Sequence, residues 1–163
     1  MIVVIMGVSG VGKTTAGAVL AEMLGWGFYD ADDFHPKGNI EKMKAGVPLT
    51  DAGRLPWLAA LRGLIRSQDA DMVLACSALK QSYRDYLGDG RPDVAFVYLK
   101  GDASLVEKRL EGRKGHFAGP GILESQLADL EEPEDALVVD ASRSPESIAG
   151  EIIKGLGLKP SGA

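Results

Sequence analysis

The chain has 163 residues, 45% hydrophobic and 25% charged, and its 18 Lys and Arg stand against 23 Asp and Glu for a net charge of −5. Such proportions predict one soluble globular domain, long enough to bury roughly 70% of its unfolded surface. The acidic balance argues against a general binder of nucleic acid or anionic membrane, which needs a basic surface, while leaving room for a local basic pocket.

The apolar opening "MIVVIM" is too short to span a membrane, and with the first lysine at Lys13 it is not expected to be a signal peptide. A single cysteine, Cys76, excludes an internal disulfide and fits a reducing compartment, so a cytoplasmic protein is expected. Ile2 to Met6 is continuous and rich in β-branched residues, the pattern of a strand covered on both faces. Helical spacing follows from Thr14 to Leu24, stopped by Gly25. "GFYD" (27–30) reads as a short second strand, "NIEKMKAG" as a short helix, and "GRLPWLAALRGLIRSQ" as a longer helix with Pro56 near its first turn. "MVLAC" (72–76) is the third strand, with "LKQSYRDYLG" helical after it. "VAFVYLK" (94–100) is the fourth strand, followed by a helix through "ASLVEKRLEGR". "ALVVD" (136–140) is the fifth strand; Ser144 caps the last helix with Pro145 at its first position, and the tail "KPSGA" is expected to fray. Five alternations of strand and helix predict an α/β fold, three-layered, with a five-stranded and mainly parallel sheet. "RKGHFAGPG" (113–121) reads as a mobile loop, or else as a plain surface turn.

"GVSGVGKT", Gly7 to Thr14, follows the first strand and opens the first helix. In that context it is a phosphate loop. Backbone amides of Gly7, Val8, Ser9, Gly10, Val11 and Gly12 turn onto phosphate oxygens at a helix N-terminus, Lys13 reaches the β- and γ-phosphates, and Thr14 ligates magnesium. No Asn-Lys-x-Asp guanine motif is present, and "DYLG" (85–88) falls on a helix rather than a strand end. The third strand ends in "SALK" where a motor ATPase would carry an acidic residue, which leaves a small kinase binding ATP and Mg2+.

Behind the second strand stand Asp30, Asp32 and Asp33. In an extended chain, alternation sends Asp30 and Asp32 to one side and Asp33 to the other. Asp30 is assigned to the magnesium shell, and Asp32 to orienting the acceptor hydroxyl and taking its proton, roles that are interchangeable at this level. The plainer alternative is a solvated acidic turn, or Asp33 capping a helix.

"GVSGVGKTT", "DADDFHPKGNIEKMKAGVPLTDAGRLPWL", "CSALKQSYRDYL", "FVYLKGD" and "RKGHF…SQ…LEEP" together resemble the gluconate kinase (gluconokinase) family of small phosphate-loop kinases, in order and over nearly the whole chain. The resemblance implies ATP- and magnesium-dependent phosphorylation of D-gluconate on its terminal hydroxyl, and a nucleotide site extending to Thr15. It also implies the nucleoside-kinase-like sheet, a moving lid (about 113–125) and a homodimer. Ala31 between the two aspartates, the apolar "FAGPG" after His116, and Leu127 depart from the family pattern. A sugar-acid pocket wants cations and hydrogen-bonding groups. Lys80 and Arg84, four apart, form a carboxylate clamp on this reading and a solvated basic stripe on the other. Arg54 is a further substrate-binding candidate, and Trp57 packs. His35 bonds a substrate hydroxyl or caps "HPKGN", and neither histidine has a partner at metal-ligand spacing. Arg109 and Arg113 share a helix face leading into His116: as lid residues, Arg109 contacts the nucleotide, Arg113 the phosphates, and His116 either ligand. Their alternative is an exposed charged helix. Two other functions fit the same residues: a kinase of another small polyol or acid such as shikimate, and a non-catalytic nucleotide-binding regulator.

Overall fold

The computed structural model describes residues 1–112 and 121–162. Five strands, β1 (Ile2–Met6), β2 (Gly27–Asp30), β3 (Met72–Ala75), β4 (Val94–Lys100) and β5 (Leu137–Asp140), form one sheet in the order β2-β3-β1-β4-β5. Every pairing is parallel, including Ile2 with both Met72 and Val94, so the sheet is wholly rather than mainly parallel. All five carboxyl ends therefore lie along one edge. The chain goes to one side of β1 for β2 and β3 and to the other for β4 and β5. That places a topological switch point at the end of β1, the usual ligand crevice of such sheets.

Strand alternation divides the core in two. Val3 and Ile5 face a buried cluster shared with α1 (Lys13–Leu24) and α7 (Pro145–Leu156). Ile2, Val4 and Met6 face the other, shared with α3 (Asp51–Ser67) and α4 (Gln81–Gly88). The remaining helices are α2 (Lys37–Lys44), α5 (Ala103–Glu111) and α6 (Ile122–Asp129). Helix ends follow local chemistry: Thr50, Asp102 and Ser144 accept from backbone N–H groups as N-caps, and Gly25 and Gly157 close α1 and α7 in the left-handed region.

Four local expectations need correction. The chain after β2 does not stay extended, because the Asp30 carboxylate accepts from Asp32 N at 2.9 Å and caps a 3₁₀ turn over Ala31–Phe34. Pro56 sits in the second turn of α3, whose capped start lies at Thr50 rather than at Gly53. A two-turn helix, α6, occupies a segment assigned no element, part of it read as lid. The tail does not simply fray, since Ser161 N donates to Met23 O at 3.0 Å.

Candidate active site

The phosphate loop leaves β1 and enters α1 at the switch point. Gly7 has no room for a side chain, as an added Cβ would lie 2.9 Å from Leu99 O. Gly12, at φ 103°, starts α1 with no side-chain cap, so the first-turn amides face an incoming anion. Val8 and Val11 are buried beneath the loop and can serve a ligand only through their backbone. The Lys13 ammonium arches back to Val8 O at 3.0 Å. Thr14 Oγ1 donates to Asp30 Oδ2 at 2.6 Å, which joins the loop to the end of β2. A hydroxyl and a carboxylate oxygen are hard donors suited to Mg2+, which takes few protein ligands and fills its shell with phosphate and water. Among the described residues no group of three His, Cys, Asp or Glu is placed to hold a metal ion.

A cleft of about 910 Å³, counted with its open mouth, runs from this loop across the ends of β2 and β3. Ser9, Gly10, Gly12, Lys13 and Thr14 line one part of it, and Asp30, Asp32, His35 and Arg54 another. The predicted nucleotide end and much of the predicted acceptor end thus share one space. Trp57 packs as expected: it is buried, its Nε1 donates to Ala31 O at 2.7 Å, and it pins the turn that carries Asp32. His35 stacks on the Trp57 ring, centroids 4.4 Å apart and planes 9° from parallel. Burial, and then the charge of Arg54, lower its pKa to about 4, so at neutral pH it is an uncharged hydrogen-bonding group.

Arg54 is buried, and its Nη1 donates to Tyr83 OH at 2.9 Å and to Asp129 Oδ2 at 3.1 Å. Tyr83 OH and Lys80 Nζ both reach Asp51, the lysine at 2.8 Å, and these bonds hold the Asp51 carboxyl below its usual range. One further cation, two carboxylates and a phenol thereby fix Arg54 from behind.

The Lys80–Arg84 clamp does not form. Lys80 lies at the N-cap of α4 and pairs with Asp51, outside the cleft lining. Arg84 is only 3% exposed, and its guanidinium donates to Ala78 O, Leu79 O, Glu131 O and Gln81 Oε1. Ala78 is held at φ 42°, a left-handed conformation that costs a residue with a Cβ on the order of 1 kcal/mol or more. Arg84 therefore secures the strained "SALK" turn. Arg109 also points away from the lining: its Nη1 donates to Val11 O and its Nη2 to Ala141 O, both at 2.8 Å, tying the phosphate loop to the β5–α7 connection. Thr15 is exposed beside the loop and does not line the cleft. Arg113 and His116 lie outside the described residues, as does most of the 113–125 stretch. Burial pushes the Cys76 thiol up to about 12, so it stays protonated and inert at the end of β3.

Reading from sequence missed the inward face of α6. Ile122, Ser125 and Gln126 line the cleft and Asp129 reaches Arg54, positions i, i+3, i+4 and i+7 of one helical stripe. That spacing was the available signal, but the stripe mixes polar and apolar residues and does not read as a core face.

A phosphate loop at the switch point, a carboxylate pair beside it and the Arg54 guanidinium in the same cleft define a phosphate-loop kinase of small molecules. The family model for shikimate kinase matches residues 9–156. A gluconokinase of Gluconobacter oxydans is 45% identical over 93% of this chain and 88% of its own, and the thermoresistant gluconokinase of Escherichia coli is 43% identical over 94% and 91%. A solved gluconokinase structure from Sinorhizobium meliloti matches with a TM-score of 0.86 at 42% identity, covering 95% of this chain and 90% of that one. The chain belongs to the gluconokinase family.

Proposed function

We propose that the protein transfers the γ-phosphoryl group of ATP to the 6-hydroxyl of D-gluconate, giving 6-phospho-D-gluconate and ADP. The observation that carries this reading is the single cleft in which Lys13 and Thr14 of the phosphate loop meet Asp32, His35 and Arg54. The loop amides and Lys13 hold the phosphates. Thr14 and Asp30 would hold Mg2+, which would supply positive charge to offset that of the phosphates. Asp32 orients the 6-hydroxyl and takes its proton as the O6–P bond forms and the bond from phosphorus to the bridging oxygen of ADP breaks. Uncharged His35 bonds a substrate hydroxyl, and Arg54 receives the carboxylate at the far end. Arg109 braces the two segments that flank the nucleotide, and the family resemblance adds Arg113 for the phosphates and His116 for either ligand. Most of the rate comes from positioning and fixed charge.

The family resemblance adds a cytoplasmic homodimer to the proposal. No described helix is long and apolar enough to cross a membrane, and sedimentation tests the dimer. The direct test is ADP formation from ATP and magnesium across D-gluconate, its epimers, shikimate, glycerate and two nucleoside monophosphates. A dominant gluconate rate, with 6-phosphogluconate as product, is expected. A dominant shikimate rate, or a flat panel from folded ATP-binding protein, would overturn the substrate.

A further inference from the structure

Gln126 lies 117 positions from Ser9 in the chain, yet its side-chain amide uses both of its ends on that residue. Its Oε1 accepts from the backbone Ser9 N–H at 2.6 Å, and its Nε2 donates to Ser9 Oγ at 3.0 Å. Ser9 is the third position of the phosphate loop, and both residues line the cleft beside Lys13. A neutral carbonyl oxygen thus occupies a loop amide of the kind that serves phosphate oxygens. Hydrogen bonds to a charged acceptor are stronger than those to a neutral one, so a phosphate oxygen arriving at Ser9 N–H displaces Oε1. A primary amide carries a donor on its other side, and turning about its terminal bond presents Nε2–H to the oxygen that displaced it.

We propose that Gln126 reads the terminal phosphoryl group of the nucleotide, exchanging its bonds to Ser9 for a hydrogen bond to a γ-phosphate oxygen; this rests on the ATP-dependent reading above. The exchange draws α6 into register with the acceptor. Asp129, three residues on along the same face, holds Arg54, so one short helix carries both the residue that reads the donor and a support of the acceptor wall. A diphosphate lacks the γ-oxygen and leaves the Gln126–Ser9 pair in place. The site therefore favours the triphosphate through a residue outside the phosphate loop.

The test is calorimetric binding of ADP and of the non-hydrolysable β,γ-imido analogue of ATP, each with magnesium and without acceptor, to the full chain and to Gln126→Ala and Gln126→Glu. Gln126→Ala should lower the preference for the triphosphate analogue over ADP by roughly tenfold or more, the contribution of one hydrogen bond to a charged group. Gln126→Glu, which sets a carboxylate against the phosphate, should lower it further. Equal changes for both nucleotides, or none, in variants that melt cooperatively would overturn the proposal, because a purely structural contact moves the two affinities together. The readout does not involve gluconate, so a wrong acceptor assignment would leave the result interpretable.

Discussion

Asp32 and Asp30 share one short turn but are held differently. Both line the cleft; the Asp30 oxygens accept from Thr14 Oγ1 and from the amide of Asp32, and Asp32 rides on a turn fixed from below by Trp57. The bond from Thr14 Oγ1, itself a hard donor suited to Mg2+, supports the metal-side role proposed for Asp30 and leaves Asp32 as the proposed proton acceptor. Asp32→Asn should lower turnover by on the order of 10²-fold, at the lower end of what general acid–base catalysis contributes, and leave ATP affinity within a few fold. Collapse of ATP affinity with turnover of the bound complex preserved would exchange the two roles. His35 supplies a pH test. Its folded pKa of about 4 lies below the ordinary 6.5, so between these values the unfolded chain binds the proton and the folded chain does not. Its contribution is full above pH 6.5 and is lost as pH falls toward 4. In urea unfolding, the stability advantage of the wild type over His35→Gln should therefore shrink from pH 7.5 to pH 4.5. Parallel profiles would show that His35 titrates alike in both states.

At the scale of elements, the strands were legible because each is a short β-branched or aromatic run bounded by turn residues, and β2 falls on "GFYD" as read. The 3₁₀ turn was not legible. Asp30 can cap a turn or continue a strand, and only the Trp57 bond to Ala31 O decides between them. Lys80 and Arg84 were misjudged for a related reason. A spacing of four puts them on one face of a helix but does not say whether carbonyl groups are waiting there, and Arg84 meets three. Helix glycines give a paired prediction. Gly63, exposed within α3, has nothing within 4 Å of an added Cβ, so Gly63→Ala should stabilise by about 0.5–1 kcal/mol. Gly17 within α1 has the Phe28 ring 2.7 Å from that position. Overpacking of about 1–3 kcal/mol there matches or exceeds the gain in helix propensity, and Gly17→Ala should be net destabilising. Urea midpoints that move in the same direction for both would refute the packing argument.

Taken whole, the molecule keeps its two apolar clusters on opposite faces of the sheet and gathers the polar groups that line its cleft at one edge. A ligand at that edge binds the folded state alone and must raise its melting temperature. At about 100 times its dissociation constant, ATP with magnesium contributes roughly 2.7 kcal/mol. For a chain of this length that corresponds to a rise of about 5–10 °C. Differential scanning fluorimetry checks it, and an unchanged melting point would remove the nucleotide from the phosphate loop.

The stack of His35 on Trp57 has an optical consequence. The protein has two tryptophans, and Trp26, at the end of α1, packs against the other face of the sheet. In a Trp26→Phe protein the remaining indole would emit from the acceptor half of the cleft, against an imidazole whose hydrogen bonding an entering polyol would change. Its fluorescence would follow acceptor arrival in a stopped-flow instrument separately from nucleotide binding. The order in which the two substrates enter could then be timed from a chromophore the protein already carries.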